Sequence, residues 1–282
     1  MLSRRQGFTL AELMIATAAM LIVGGAVQRM LQSAQRLSRA QADQLTLQAS
    51  VRGAVLAVTN ELRELSTRAN AGGAQNDLLS IAPGEVTYRA MRGTGFTCET
   101  AAPGQIRISR NRFTGHRTPQ AGRDSVLVLH DPEVDTATAW VTLPIIGVSG
   151  ASSCPGIGNP SITLTVPVND SVVGAAAGTP VRIYEIMQLR RYESGGKSWL
   201  GMRSVSTGEA IQPLFGPVSP DNGFRLEYFD SAGASTSSPR AVRSIRVAVR
   251  GEHDGRHVVE DMDGQRGELE LHTQLVLRNA LY

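Results

Sequence analysis

Twenty consecutive residues, Phe8 to Val27, read FTLAELMIATAAMLIVGGAV and carry a single charge, Glu12. As a helix they reach about 30 Å, enough to cross the hydrocarbon core of a bilayer. A run this apolar has to lie in lipid or beneath other protein. Glu12 is the anomaly within it. A charge at the centre of a membrane costs roughly 2.5–3.5 kcal/mol even on lenient insertion scales. No basic residue lies in the run, so the cation that would balance Glu12 must come from outside it. Arg4 and Arg5 precede the run, and Arg29 alone follows it closely. The positive-inside bias therefore predicts a cytoplasmic N-terminus, with everything after Val27 across the membrane.

The residues around that charge form a pattern. Gly7-Phe8-Thr9-Leu10-Ala11-Glu12-Leu13, behind a basic leader, resembles the processing motif of type IV prepilins and type II secretion pseudopilins. The resemblance implies cleavage after Gly7 on the cytoplasmic side by a membrane-embedded prepilin peptidase. It implies methylation of the new N-terminal amine on Phe8. It makes Glu12 an assembly contact, the fifth residue of the mature chain, which meets the N-terminal amine of a neighbouring subunit in a filament. An ordinary secretory signal would be cut after the apolar run. Ala16-Thr17-Ala18 offers small residues for such a cut, but inside the run. A plain anchor explains the length and leaves Glu12 and Gly7-Phe8 unexplained.

Beyond the run the pattern stays helical. Leu47, Val51, Val55, Val58, Leu62 and Leu65 recur at three- and four-residue spacing, with Gln48, Arg52, Glu61 and Arg63 on other faces. No proline interrupts Phe8 to Arg68, which predicts one helix of about 90 Å. Gly24-Gly25 is its weak point, since each glycine costs about 1 kcal/mol against alanine. The pair predicts a place to bend or melt during filament assembly. Alternatively, with Ala18, Ala19 and Ala26, it offers small surface for close helix packing.

From Ala69 the composition changes. Ala71-Gly72-Gly73-Ala74 ends the helical pattern, and all the prolines lie beyond it. Strands are predicted at Val86–Met91, Gln105–Ser109, Ser125–His130, Ala139–Leu143, Ser161–Val166, Val181–Leu189, Ser198–Ser204, Phe224–Phe229, Ala241–Val249 and Glu268–Leu277. The stretches from Pro144 to Pro160 and from Asp230 to Pro239 read as surface loops, with Ser231–Ser238 of low complexity and mobile. The expected class is α+β: a long N-terminal helix, membrane-spanning in its first half, packed on antiparallel sheet, with room for two sheets. The expected organisation is a cleaved leader at 1–7, a membrane or filament-core helix at 8–27, its amphipathic continuation at 28–69 and a β-rich periplasmic head at 70–282. The resemblance gives this arrangement its name, the pilin fold.

Cys98 and Cys154 both fall on the non-cytoplasmic side, where disulfides persist. Their even number and turn-like contexts predict a bond, closing a loop worth about 4 kcal/mol on the chain-entropy estimate. Two buried free thiols are the alternative. Catalytic constellations do not emerge. His253 and His257 have a spacing that could ligate a metal on a helix, but Asp254-Gly255 marks a turn between them. Glu260, Asp261 and Asp263 lack the spacing of a calcium loop. No metal, cofactor or enzymatic activity is therefore expected. The chain has a single lysine, Lys197, and loss of Arg4 and Arg5 with the leader brings it close to neutrality. Arg190-Arg191-Tyr192 is its nearest approach to a nucleic-acid patch and reads better as an exposed strand. A direct nucleic-acid ligand is not expected.

The C-terminal part adds a second resemblance. Leu214-Phe215-Gly216-Pro217-Val218, Phe224 to Gly233, Pro239 to Val247 and Leu275-Val276-Leu277-Arg278-Asn279 follow in the order seen at the end of PilW-type minor pilins and J-type minor pseudopilins. The stretch from about Ala69 to Ile211 resembles nothing nameable. What the resemblance implies is a minor pilin that primes type IV pilus assembly, for adhesion, motility or DNA uptake. Its partners would be other minor pilins, the major pilin, the prepilin peptidase, the inner-membrane assembly platform and a tip adhesin. A subunit at the very tip of related systems lacks the glutamate, so a chain that keeps Glu12 belongs next to the apex. The alternatives are a J-type minor pseudopilin of a type II secretion system and, from another class, a membrane-anchored periplasmic enzyme with a pilin-like leader. The enzyme would need a buried polar cleft in the β-rich part, for which the sequence supplies no residues.

Overall fold

The computed structural model describes residues 9–67, 76–130, 139–150, 152–156, 158–252 and 268–277. Its one α-helix among them, α1, runs unbroken from Leu10 to Arg63, and a single 3-10 turn spans Arg110–Arg112. It passes straight through Gly24-Gly25, where an added Cβ would meet nothing within 4 Å. The described residues divide into two units, one up to Ala49 and one from Ser50 onward.

In the first unit the helix is bare. Every residue from Thr9 to Arg39 is exposed, including Leu13, Ile15, Leu21, Ile22, Met30 and Leu31. The Thr17 hydroxyl within the apolar run is satisfied internally, as an apolar surrounding demands. Thr17 turns its hydroxyl back to the carbonyls of Leu13 and Met14, at 3.0 Å each.

In the second unit the helix is covered. Val51, Ala54, Val55, Val58 and Leu62 form a buried stripe, and Leu65 continues it. Each such aliphatic side chain, fully buried, contributes about 1.5–3 kcal/mol. The helix ends at Arg63 rather than near Arg68, although no glycine or proline intervenes. The cause is tertiary. The Ser66 N–H donates to Asp77 Oδ2 at 2.8 Å, and the Asp77 N–H returns to the Ser66 carbonyl at 2.7 Å. Thr67 Oγ1 donates to the Val242 carbonyl at 2.6 Å. These bonds pull the chain out of the helix and onto the strands.

The strands are β1 (Leu78–Ala82), β2 (Glu85–Phe96), β3 (Gln105–Ser109), β4 (Thr114–Gly115), β5 (Ser125–His130), β6 (Ala139–Pro144) and β7 (Gly147–Ser149). They continue with β8 (Ser161–Thr165), β9 (Pro180–Ser194), β10 (Lys197–Ser204), β11 (Gln212–Val218), β12 (Phe224–Phe229), β13 (Ser244–Glu252) and β14 (Glu268–Val276). The larger sheet has the order β1-β2-β9-β10-β11-β13-β12, with β4, β5, β6 and β14 attached at its sides. A smaller sheet has the order β3-β8-β7. The described pairings are antiparallel.

Strand β9 is the spine. One edge pairs with β2 along its length, from Glu85↔Arg190 to Phe96↔Pro180. Its other edge pairs first with β5, through Val181↔Val128 and Ile183↔Val126, and then with β10. It extends past the predicted Leu189 because Gly195-Gly196 turns it tightly into β10, at φ 61 and 73. Two-residue hairpins need such positive angles.

Two cores meet on this spine. Val181 and Ile183 join Ile106, Ile108, Val126, Val128, Ile162 and Leu164 in a core between the two sheets. Met187 and Leu189, further along the same face, lie opposite Tyr88 and Val86 of β2 and are buried as well. The larger sheet also curls back on itself. The Leu226 N–H of β12 reaches the Pro83 carbonyl beyond β1 at 2.6 Å, and Tyr228 Oη reaches the carbonyls of Ala82 and Glu85.

Cys98 and Cys154 form a disulfide between the loops that lead into β3 and β8, across a separation of 56 residues. The Asp230–Pro239 loop, read from sequence as mobile, is held by Asp230 Oδ1, which accepts from the Ala232 and Ala234 N–H groups at 2.9 Å. The stretch from Pro144 to Pro160 is not all loop, since it contains β7. The buried stripe carries a clear expectation. Leu62→Ala should destabilise the second unit by about 2–5 kcal/mol, read from denaturant unfolding of the full chain in detergent. An exposed control, Leu56→Ala, should change it by less than about 0.5 kcal/mol.

Candidate functional site

The functional residues implied by the sequence cluster at the helix start. Gly7 and Phe8, the cleavage and methylation positions, lie outside the described residues, but Thr9 and Glu12 do not. Helix α1 begins at Leu10, so Thr9 is its N-cap and Glu12 its third residue. The two side chains form a capping box. Glu12 Oε2 accepts the Thr9 backbone N–H at 2.9 Å and the Thr9 hydroxyl at 3.0 Å. Thr9 Oγ1 in turn faces the Glu12 N–H at 3.3 Å. The carboxylate also sits at the positive end of the helix dipole.

Glu12 lies in the first turn of the helix, where the backbone N–H and hydroxyl of Thr9 converge on it. Both Thr9 bonds fall on Oε2. Oε1 accepts no hydrogen bond from any described residue. The signal for this box, Thr-x-x-Glu ahead of an apolar run, is present in the sequence.

A second cluster fastens the helix within its covered unit. Glu185, in the middle of β9 and 1 % exposed, lies between the two cores. Its carboxylate meets Arg92 at 3.0 Å, Arg117 at 3.2 Å and Arg123 at 2.6 Å. Arg92 continues to Glu61 of α1 at 3.2 Å. Arg117 also clamps the buried Asp124 with both terminal nitrogens, at 2.5 and 2.6 Å. Burial alone would raise the Glu185 carboxyl, but the hydrogen bond and charge of Arg92, with the charge of Arg123, outweigh it and hold it below the ordinary glutamate range. A carboxylate this buried is tolerated only with such pairing, and loss of one partner costs about 3–5 kcal/mol. Nothing local announces this cluster; its members come from α1, β2, β9 and the loop before β5.

The C-terminal motif residues are structural. Phe215, Val218, Phe224, Leu226, Tyr228, Ile245, Val247, Val249, Leu275 and Leu277 are all buried. All but Leu277, which follows β14, lie in β11, β12, β13 and β14, while Arg278 and Asn279 lie outside the described residues. Strand β13 starts at Ser244 rather than Ala241, because Val242 and Arg243 are engaged by Thr67. His253, His257, Glu260, Asp261 and Asp263 also lie outside the described residues.

Comparison with known proteins bears on the helix start alone. Residues 2–27 match the prokaryotic N-terminal methylation motif. No curated protein and no solved structure matches the chain. The motif supports a type IV pilin-like or pseudopilin protein with a methylated N-terminus. The one helix among the described residues long and apolar enough to cross a membrane, Leu10–Arg63, is consistent with membrane anchoring.

The junction between helix and sheet should respond to pH. Burial pushes the Asp77 carboxyl up to about 6, against the Ser66 N–H and the charges of Arg182 and Arg89. A folded value above the unfolded one means that ionisation opposes folding. The contribution of Asp77 is fully present below about pH 4, the unfolded value, and is lost as pH rises through about 6. Asp77→Asn should remove this dependence. The difference in stability between parent and variant should shift by about 2 kcal/mol between pH 4 and pH 7, as read from denaturant unfolding.

Proposed function

We propose that this chain is a minor pilin that helps prime type IV pilus assembly and sits beside the tip of the filament. The observation that carries the reading is the helix start: a methylation motif over residues 2–27 that delivers a carboxylate, Glu12, on a helix exposed from Thr9 to Arg39. A helix so apolar needs lipid before assembly and other helices after it. The cation that Glu12 would meet is the N-terminal amine of the next subunit.

The reading accounts for the rest of the chain. The second unit is a large β-rich head whose C-terminal strands resemble those of PilW-type subunits. The head would lie in the periplasm and the N-terminus in the cytoplasm until the subunit leaves the inner membrane. Its partners would be other minor pilins, the major pilin, the prepilin peptidase, the assembly platform and a tip adhesin. It acts by assembly and not as an enzyme. Retention of Glu12 favours a place next to the apex, since an apical subunit has no amine above it to bind. The same C-terminal strands also favour a second reading, a J-type minor pseudopilin of a type II secretion system.

Two substitutions test the proposal in the native host. Gly7→Ala should leave the chain unprocessed, with the leader mass retained. Glu12→Ala should be processed, yet enter sheared filaments at least roughly tenfold less, equivalent to about 1.4 kcal/mol. If Glu12→Ala enters filaments like the parent while Gly7→Ala stays unprocessed, the assembly role of Glu12 is wrong.

A further inference from the structure

Strand β1 ends the larger sheet, and its outer edge meets no further strand among the described residues. Strand β2 alternates its backbone bonds. The Arg89 N–H reaches the Asp77 carbonyl at 2.8 Å on the β1 side, and the Gly84 carbonyl takes the Arg191 N–H at 3.2 Å on the β9 side. Glu85 and Thr87 therefore bond to their β1 partners, Ala82 and Ser80. Ile81, opposite Val86, turns its N–H and carbonyl away from β2, where no described residue bonds to them. A segment passes this edge without pairing with it. Ser235, Thr236 and Ser237 wall a cavity of about 450 Å³ with Ile81, Pro83 and Tyr228. Ser238, Pro239 and Arg240 wall a second, of about 340 Å³, with Leu78, Leu79 and Arg89. Residues 235–240 thus run antiparallel to β1, yet no hydrogen bond joins the two.

We propose that this edge is a docking groove for an extended segment of a partner protein. The segment adds a strand at Ile81, places an apolar side chain in the cavity at Tyr228 and brings a carboxylate to Arg240. The groove lies in the second unit, so the inference goes beyond the assembly reading and does not depend on Glu12.

Sheet edges are normally blunted by charge, proline or a covering loop, because bare backbone recruits other chains. Strand β12, at the far end of the sheet order, follows that rule: the Thr236 N–H closes on the Tyr228 carbonyl at 2.9 Å. Strand β1 reads Leu-Leu-Ser-Ile-Ala, with no charge and no proline. An added strand supplies the acceptor and donor that Ile81 lacks, whatever its sequence, and the two cavities select its side chains. The first cavity is mostly apolar, and Arg225 and Glu227 in its lining pair with each other. The second carries two guanidiniums, Arg89 and Arg240, and Arg240 pairs with no carboxylate among the described residues. Leu78 and Ile81 lie about 10 Å apart along the strand, so the apolar and acidic side chains stand roughly two to four residues apart on the partner.

The probe is a labelled peptide, acetyl-Thr-Leu-Thr-Val-Thr-Asp-Thr-amide, with a counterpart that carries Lys in place of Asp. Binding to the full-length chain in detergent is read by fluorescence anisotropy, and exchange of the Ile81 N–H by hydrogen exchange. The parent should bind the Asp peptide about fivefold more tightly than the Lys peptide, the size of an exposed ion pair. Arg240→Glu should abolish that preference. Ile81→Pro removes an N–H that β2 does not use, which an edge strand tolerates. It should weaken binding about tenfold, the size of a lost hydrogen bond, while Ile81→Val binds like the parent. The Ile81 N–H should exchange fast in the free chain and slow down when the Asp peptide is added. Three results would each overturn the groove: no saturable binding by the parent up to about 1 mM peptide, a preference for the Asp peptide that survives Arg240→Glu, or an Ile81 N–H already protected in the free chain. The last would mean that residues 235–240 close on the edge themselves. Should Ile81→Pro fail to fold, the charge swap and the exchange of Ile81 still decide.

Discussion

Apolar surface that no other described residue buries governs this protein. Leu10 to Val27 would be a core helix in a soluble protein, yet not one of these residues is buried. The helix changes character at Ser50, where a stripe from Val51 to Leu62 meets the protein's own sheet. One continuous helix therefore has two environments: the last part is buried on the strands, and the first is exposed and apolar enough to cross a membrane. Glu12 fits that division. Its own turn satisfies it in part, through the backbone and hydroxyl donors of Thr9.

The head is built to hold the end of that helix. Glu61, Arg92 and Glu185 form a chain of charge from α1 through β2 to β9, at the place where two apolar cores abut. Such a buried carboxylate is a costly way to join elements, since well-packed apolar residues often serve stability better. What charge adds is direction: three guanidiniums around Glu185 accept one arrangement of the helix, β2, β9 and the loop before β5. Asp77 supplies a second fixation just past the helix, through its paired bonds with Ser66. Both devices tie Ser50–Arg63 to the sheet that carries the C-terminal strands.

Much of this was legible in the sequence where the signal is local. The apolar run, the buried spacing of Val51, Val55, Val58 and Leu62, and the alternation in Val181–Met187 and Ile245–Val249 each depend on neighbours in the chain. Strand β11 was not predicted, because Pro213 and Pro217 argue against a strand. It survives beside β10 only with register shifts, and touches β13 at the single pair Val218↔Gly251. Strand β1 was missed because only Leu78 of its residues is buried. The early end of α1 comes from the bonds of Ser66 with Asp77 and of Thr67 with Val242, and the late start of β13 from the second of these, which no window of sequence contains. Glu185 and its arginines were invisible for the same reason. Thr9 differs: its spacing from Glu12 spells a capping box within four residues of sequence.

The central claim is that the bare helix is a subunit contact and not merely an anchor. Mass spectrometry of filaments sheared from the native host tests it most directly. The account predicts this chain in the filament fraction, at low stoichiometry, beginning at an N-methylated Phe8 and carrying the Cys98–Cys154 bond. A processed chain found only in the membrane fraction, however deeply the filaments are sampled, would contradict it.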